Sequence, residues 1–147
     1  MQQQKIEDVI CFTVPLMVPS VNHYKEPCKY IGKSGYLRTG FRLSKETRAF
    51  YDAVAIFAQN RTVSPQTPAE RKKAKYTVDV NVWFGPKTRA DADNLGKALC
   101  DSLVRCGMIH SDANVVSFNV TTHKDDRDNP ANPRTEFLVT RMEEQRG

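Results

Sequence analysis

Long apolar runs are missing from this 147-residue sequence. None approaches the ~20 residues that a membrane-spanning helix requires, so such a helix is not expected. The N-terminal residues 1–5 lead into the acidic pair Glu7-Asp8, without the apolar segment of a signal peptide. We therefore expect a soluble, cytoplasmic protein that has no membrane partner.

Cysteine is sparse and scattered, with no CxxC pair and no histidine at zinc-finger spacing. The four cysteines are Cys11, Cys28, Cys100 and Cys106. In a reducing compartment they are expected to be small, mostly buried apolar residues. A zinc site built from Cys28 and His23 lacks the usual ligand spacing. No nucleophile pattern accompanies a histidine, which argues against a Ser-His-Asp hydrolase.

Internal repeats and low-complexity tracts are also absent. The composition, 39% hydrophobic and 27% charged, is that of a globular protein. A chain of this length can bury a working core without disulfides. We expect a single domain over residues 1–147, with flexible tails at about 1–7 and 143–147.

Positive charge exceeds negative charge, with a net charge of +5 that is unevenly placed. Between Lys25 and Arg48, seven Lys or Arg residues face two Glu, and between Arg71 and Arg89 six face one Asp. A polyanion such as nucleic acid would be attracted to these stretches. A solvated basic surface explains the same charges, so both interpretations stay open at this point.

The first part of the chain predicts one strand, an irregular segment and one helix. Residues 9–14 are β-prone, and Pro15 ends the run. The following residues to about 41 contain Pro, Gly and aromatics among cations, a composition that suits either nucleic-acid stacking or packing back on the protein. Ser44 has the character of a helix N-cap, and Ala49, Phe50, Ala53, Val54, Phe57 and Ala58 recur at helical spacing over 45–60.

The second part predicts three strands around a second helix. Alternation from Tyr76 to Phe84 indicates a strand with one buried face. A helix is expected from Asp93, as its N-cap, to Arg105, ending at Gly107. Strands are expected at 114–124, with Val116, Phe118 and Val120 on one face, and at 135–141. The order favours an α+β fold, a mixed sheet packed with two main helices.

Acidic residues cluster around the second predicted helix. Asp91 and Asp93 precede it, and two carboxylates at this spacing are oxygen ligands suited to Mg²⁺ or Mn²⁺. Lys97 and Asp101 lie about 40° and about 80° from Asp93 around the helix, while Leu95, Leu99 and Leu103 occupy the opposite, core-facing side. A plain helix cap with a solvated ion pair explains the first acids equally well, but it leaves Asp112 unexplained.

The spacing of these residues resembles that of the RusA-type Holliday junction resolvases. The matching block runs from Asp91-x-Asp93-Asn94-Leu95-x-Lys97 through Asp101 to Gly107-x-Ile109-x-x-Asp112. The sequence Pro19-Ser20-Val21-Asn22-His23-Tyr24 is similar to the turn that follows the first strand in that family. The resemblance covers roughly residues 9–142.

This resemblance implies a function and a set of site residues. The metal-binding acids of the family correspond to Asp91, Asp93 and Asp112, and its catalytic lysine corresponds to Lys97. Asp101 matches an acidic position, for which a structural or supporting role is an open alternative. The implied activity is Mg²⁺-dependent, with Mn²⁺ as a substitute, and resolves four-way DNA junctions by paired symmetric nicks in recombination and repair. The implied assembly is a homodimer, acting on DNA of the nucleoid, and the family suggests a phage or prophage origin.

DNA contacts are expected outside the acidic block. The candidates are Lys72, Lys73, Lys75, Lys87, Arg89, Asn22 and Tyr24. The chain departs from the family pattern at Ala90, where members carry a basic residue, and Lys87 or Arg89 is the candidate source of that charge. Two other functions remain open: a nuclease acting on flaps or forks, and a non-catalytic DNA-binding module in which the acids only cap a helix.

Overall fold

The computed structural model describes residues 9–20, 24–59, 67–84, 94–123 and 133–142. The expected tails lie outside these ranges. The elements, in chain order, are β1 (Val9–Val14), β2 (Lys25–Ile31), β3 (Leu37–Leu43), α1 (Lys45–Phe57), α2 (Pro68–Lys73), β4 (Lys75–Trp83), α3 (Gly96–Arg105), a 3-10 helix (Asp112–Asn114), β5 (Val115–His123) and β6 (Arg134–Met142). No helix within the described ranges is long and apolar enough to cross a membrane.

Four strands form a mixed sheet in the order β1-β6-β4-β5. The pairs β1/β6 and β4/β6 are antiparallel, whereas β4 and β5 run parallel. A parallel pair needs a crossover connection, and α3 and the 3-10 helix lie in the segment that joins β4 to β5. The sheet with its helices confirms the α+β prediction.

One face of the sheet and two helices share a single apolar core. The alternation in β4 is confirmed, since Tyr76, Val78, Val80, Val82 and Phe84 are all buried. Helix α1 packs its Phe50 ring 6.4 Å from the Phe137 ring of β6. Helix α3 and the residue before it contribute the three leucines at 95, 99 and 103, each of which is 0% exposed, as their spacing predicted.

Helix α1 begins as predicted but buries a different face. The Ser44 side chain accepts a hydrogen bond from the Thr47 amide, which confirms the N-cap. The buried residues of this helix are Thr47, Phe50, Tyr51 and Val54, whereas Ala49 and Phe57 are exposed. The predicted apolar stripe was therefore partly wrong. Thr47 and Tyr51 are buried because both make hydrogen bonds to Tyr24 beside the helix.

The structure adds a hairpin in the segment expected to be irregular, and a short helix where no element was predicted. Strands β2 and β3 form an antiparallel hairpin, a separate two-stranded sheet whose turn contains Gly35 at a φ of 82°. Helix α2 carries a capping box of Thr67 and Glu70. Residue periodicity failed for the hairpin because most of its residues are exposed on both faces, so apolar and polar residues need not alternate.

Helix α3 is shorter at its start than expected. It begins at Gly96, and its N-cap position is Leu95 without a side-chain cap bond, so the prediction of Asp93 as the cap was wrong. Its end is as predicted: Gly107, at a φ of 82°, donates to Val104 O (3.1 Å), and Met108 donates to Leu103 O (3.0 Å). This pair of bonds is a Schellman motif.

Strand β5 lies where it was predicted, but Val116 does not share the core-facing side of the strand with Phe118 and Val120. Phe118 and Val120 pack against the core, but Val116 is exposed. The pairing with β4 shifts register between Tyr76 and Thr77, so that Val115 pairs with Tyr76 and Ser117 with Thr77. Val116 is the extra residue, and a bulge of this kind turns its side chain away from the face expected of it.

Two glycine-to-alanine changes at the ends of α3 should have opposite effects. Gly107→Ala places a Cβ at a left-handed φ and should lower the free energy of unfolding by about 1–2 kcal/mol. For Gly96→Ala, the new Cβ would lie 3.5 Å from Phe118 Cε1, an ordinary contact, so stability should stay equal or rise by up to about 1 kcal/mol. Urea denaturation of both variants measures the difference, and equal effects would contradict the role of the Gly107 turn.

Candidate active site

The candidate site lies on the crossover between the parallel strands β4 and β5. Lys97 is exposed in the first turn of α3, and Asp101 follows one turn later. The 3-10 helix places Asp112 after the return of the chain. The other predicted residues, Asp91, Asp93, Lys87, Arg89 and Asn22, lie outside the described residues.

Asp101 is the centre of a hydrogen-bonded cluster between the helices. Its Oδ2 atom accepts a hydrogen bond of 2.5 Å from the Tyr24 hydroxyl, and the Tyr51 hydroxyl of α1 donates to Tyr24 at 3.0 Å. Lys97 Nζ lies 3.9 Å from the same Asp101 oxygen and 5.6 Å from the centre of the Tyr24 ring. Three separate parts of the chain therefore meet at one carboxylate.

Both tyrosines of this cluster remain protonated at neutral pH. Burial raises the pKa of Tyr24, and its hydrogen bond to Asp101 raises the pKa further. Burial also raises the pKa of Tyr51 strongly, assisted by its bond to Tyr24. Since neither hydroxyl ionises, each retains the proton that it donates.

Tyr24 was also a predicted DNA contact, but its side chain is buried. This tyrosine therefore agrees with the alternative interpretation of the segment, in which aromatic residues pack back on the protein.

Asp112 returns toward α3 through a tight turn. After the Schellman motif at Gly107, the chain runs to Ser111, whose hydroxyl caps the 3-10 helix by accepting from the Ala113 amide. The Asp112 carboxylate is exposed, and the Ser111 hydroxyl donates to its Oδ1 atom at 3.3 Å. The turn brings the 3-10 helix that begins at Asp112 into contact with α3.

Cys100, on α3, has a thiol whose ionisation is affected by two nearby acids. Burial, followed by the negative charges of Asp112 and then Asp101, raises the pKa of the Cys100 thiol to about 11. A carboxylate raises the pKa of a neighbouring thiol because it disfavours a second negative charge. Both acids are therefore close enough to this thiol to oppose its ionisation.

Asn114 joins the turn of Asp112 to the basic helix α2. This side chain is buried, and its Nδ2 atom donates to the carbonyls of Lys72 at 2.9 Å and Ala74 at 2.8 Å. The exposed Lys72, Lys73 and Lys75 are consequently held next to the segment that carries Asp112.

Of the three predicted metal ligands, only Asp112 lies among the described residues. Asp112 offers an exposed carboxylate, the hard oxygen donor that Mg²⁺ prefers. Within the described ranges, no three His, Cys, Asp or Glu side chains come together as a metal site. The donor chemistry of Asp112 fits a divalent cation, and the other two predicted ligands, Asp91 and Asp93, lie outside the described residues.

The hairpin presents exposed aromatic and basic side chains together. Among its exposed residues are Tyr30, Tyr36 and Phe41, with Tyr36 74% and Phe41 73% exposed. Lys33 and Arg38 line a depression of about 390 Å³ beside Tyr30. We refer to this hairpin, residues 25–43, as the hairpin surface.

Comparison with known protein families decides the class of the chain. The model described as Endodeoxyribonuclease RusA matches residues 17–137, which is most of the sequence. The chain belongs to the RusA endodeoxyribonuclease family. The match includes α3, Lys97, Asp101 and Asp112, so the residues of the candidate site lie inside a nuclease domain. A search of curated proteins found no match.

Two residues of the candidate site were missed by sequence reasoning. Tyr51 was left out of the apolar stripe of α1, although its i, i+3 spacing to Val54 places it beside that stripe. Asn114 was predicted only as the start of a strand. No local sequence pattern indicates that its side chain donates hydrogen bonds to the carbonyls of Lys72 and Ala74, some 40 residues away. The signal for α2 was present, since Thr-Pro-Ala-Glu combines a capping box with proline at the first helical position.

The alkylation of Cys100 should depend on the charge of Asp112. In a variant in which the other three cysteines are replaced by serine, the rate of reaction with iodoacetamide should rise with pH toward about 11, because only the thiolate reacts. Asp112→Asn removes a charge that raises this pKa, so the same rise should occur at lower pH. Asp52→Asn, an exposed acid of α1, is the control. An unchanged profile in Asp112→Asn would contradict the placement of Asp112.

Proposed function

We propose that this protein is a Mg²⁺-dependent endonuclease that resolves four-way DNA junctions by paired symmetric nicks, as a homodimer. The observation that carries the proposal is the match of residues 17–137 to the RusA endodeoxyribonuclease family. The exposure of Lys97 and Asp112 on the crossover supports it, because both charged groups are accessible to DNA in the segment that resembles the signature block of the family.

The metal ligands in this proposal are Asp91, Asp93 and Asp112, with Mn²⁺ as a substitute for Mg²⁺. When bound, the ion supplies an activated water and positive charge beside the phosphate that is cleaved. The role of the three carboxylates is to hold the cation and to leave part of its coordination open for water and phosphate. The exposure of Asp112 supports this role, since a buried carboxylate could not meet a DNA strand.

Lys97 is the proposed electrostatic partner of the scissile phosphate. Phosphodiester hydrolysis places additional negative charge on the phosphoryl oxygens in the transition state, and a fixed ammonium stabilises that charge. The Lys97 side chain is 58% exposed, so its ammonium is accessible to a DNA backbone.

The proposed grip on the DNA arms combines α2 with the hairpin surface. Lys72, Lys73 and Lys75 are exposed, and the Asn114 bonds hold their segment close to Asp112. Lys87 and Arg89 belong to the same proposal as phosphate contacts that replace the charge missing at Ala90. The aromatic and basic side chains of the hairpin surface suit contacts to an unpaired or distorted strand. Selectivity for branched DNA would then follow from shape and backbone contacts.

A homodimer suits a four-way junction because the junction has two equivalent strands. Each subunit of a two-fold symmetric pair presents one site to one of these strands, which explains paired nicks. The proposed place of action is the DNA of the cytoplasm. A basic protein with net charge +5 is attracted to that polyanion.

Cleavage of a synthetic four-way junction tests the function directly. The wild-type protein should nick opposite strands at symmetric positions in the presence of Mg²⁺, and EDTA should stop the reaction. Asp112→Asn and Asp91→Asn should each lower the cleavage rate by at least about 100-fold while junction binding persists, because a metal ligand is removed. Asp52→Asn, which is remote in sequence and exposed, should retain full activity.

Each other result points to a different function. Tight junction binding without nicks, with or without Mg²⁺, indicates a non-catalytic DNA-binding module. Nicks on flaps or forks but not on four-way junctions indicate a nuclease with another branched substrate. Full activity in Asp112→Asn contradicts the metal ligand set, whichever substrate is cut.

The lysines of α2 should contribute to the salt dependence of binding. For Lys72→Ala, Lys73→Ala or Lys75→Ala, the slope of log K against log salt concentration should become shallower by about 0.9 for each phosphate that the protein no longer neutralises. The cleavage rate at saturating protein should change little. Lys45→Ala, an exposed lysine at the start of α1, is the control. Fluorescence anisotropy of a labelled junction at several salt concentrations measures the slopes, and unchanged slopes would exclude these lysines from the interface.

A further inference from the structure

Lys97 occupies a position where the helix itself disfavours a cation. It is the second residue of α3, and the N-terminal end of a helix carries partial positive charge from its unsatisfied amides. The side chain is also 58% exposed, so burial in the core does not account for its position. Its place in the first turn is therefore not explained by helix stability.

The ion pair with Asp101 does not serve helix stability either. A lysine four residues before an acid is the less favourable order, because it opposes the helix dipole at both residues. Even so, Lys97 Nζ lies 3.9 Å from Asp101 Oδ2, and the Tyr24 ring faces the ammonium at 5.6 Å. The carboxylate and the ring limit the directions that a flexible lysine side chain can take.

Asp101 is itself held in place, because Tyr24 is fixed at both of its ends. The backbone carbonyl of Tyr24 accepts hydrogen bonds from the Ser44 amide (3.0 Å) and the Thr47 hydroxyl (2.9 Å) at the start of α1. Its hydroxyl donates to Asp101 at 2.5 Å. The ring between these bonds is only 7% exposed. A buried, doubly anchored donor thus fixes the orientation of the Asp101 carboxylate on α3.

We propose that Asp101 is a positioning residue that orients the Lys97 ammonium toward the scissile phosphate, and that Tyr24 positions Asp101. The inference rests on the proposed function of Lys97 and gives a role to an acid that the metal site does not use. It also implies that the start of β2 and the start of α1 contribute to catalysis, although neither carries a reacting group.

Two substitutions separate the charge of Asp101 from its hydrogen bond. Asp101→Asn retains an acceptor for Tyr24 but removes the charge beside Lys97, and Tyr24→Phe removes the hydroxyl but retains the charge. Each should lower kcat for junction cleavage by about tenfold, the effect of removing one charge-assisted hydrogen bond or ion pair, with KM changed less than about twofold. Asp52→Asn removes the charge of an exposed carboxylate of α1, so its kcat should stay within about twofold of wild type.

A double-mutant cycle shows whether Asp101 acts through Lys97. In a Lys97→Ala background, Asp101→Asn should cause no further decrease in kcat, because the group that it orients is already absent. Thermal melts of each variant control for folding. Equal decreases by Asp101→Asn in both backgrounds would overturn the inference while leaving the nuclease function intact. Absence of any cleavage by the wild-type protein would contradict the proposed function instead.

A measurement without catalysis tests the same inference. In ¹⁵N-labelled protein, the order parameter of the Lys97 Nζ group, assigned with Lys97→Arg, should be higher than that of the exposed Lys45. It should fall in Asp101→Asn and in Tyr24→Phe, and stay unchanged in Asp52→Asn. An order parameter that does not respond to Asp101→Asn would overturn the positioning role, whatever the cleavage assay shows.

Discussion

Strand β4 lies between β6 and β5 and turns Tyr76, Val78, Val80 and Val82 onto the layer of helices. A shift of its pairing by one residue would expose all four side chains to water, so burial of this face sets the register of the whole sheet. Because β5 runs parallel to β4, the chain must cross over between them, and α3 fills that crossover with three fully buried leucines. The position of the candidate site is a consequence: its helix is held by the core on one face and presents Lys97 and Asp101 on the other.

Hydrogen bonds of polar side chains fix the relative positions of elements that the apolar core does not hold together by itself. Tyr24 connects the hairpin, α1 and α3 through four hydrogen bonds, one of them from Tyr51, and Asn114 connects the turn of Asp112 to α2. Among the described residues, no buried side-chain nitrogen or oxygen lacks a hydrogen-bond partner. Since an unsatisfied buried polar group destabilises a fold by about 1–3 kcal/mol, each of these contacts holds its elements together cooperatively. The candidate site is consequently built at the meeting point of elements that are distant along the chain.

Features that depend on local pattern were predictable. The alternation of β4, the Ser44 cap, the core-facing leucines of α3 and the turn at Gly107 all follow from periodicity or from the conformational freedom of glycine. The hairpin was missed because its strands are exposed on both faces. The buried face of α1 differs from the predicted apolar stripe because Thr47 and Tyr51 form hydrogen bonds to Tyr24. The start of α3 was placed too early because an acidic residue before a helix resembles a cap, whereas the cap position is Leu95.

By itself, the sequence determined the α+β class, the RusA-family spacing of acids and lysine, and the basic stretches that suit a DNA partner, since all of these are carried by residue type and separation along the chain. The tertiary structure alone decided the strand order, the burial of Tyr24 and its bond to Asp101, and the link from Asn114 to α2. Those features join residues 40 or 77 positions apart. Their existence depends on which faces pack together, and neither local propensity nor spacing encodes that choice.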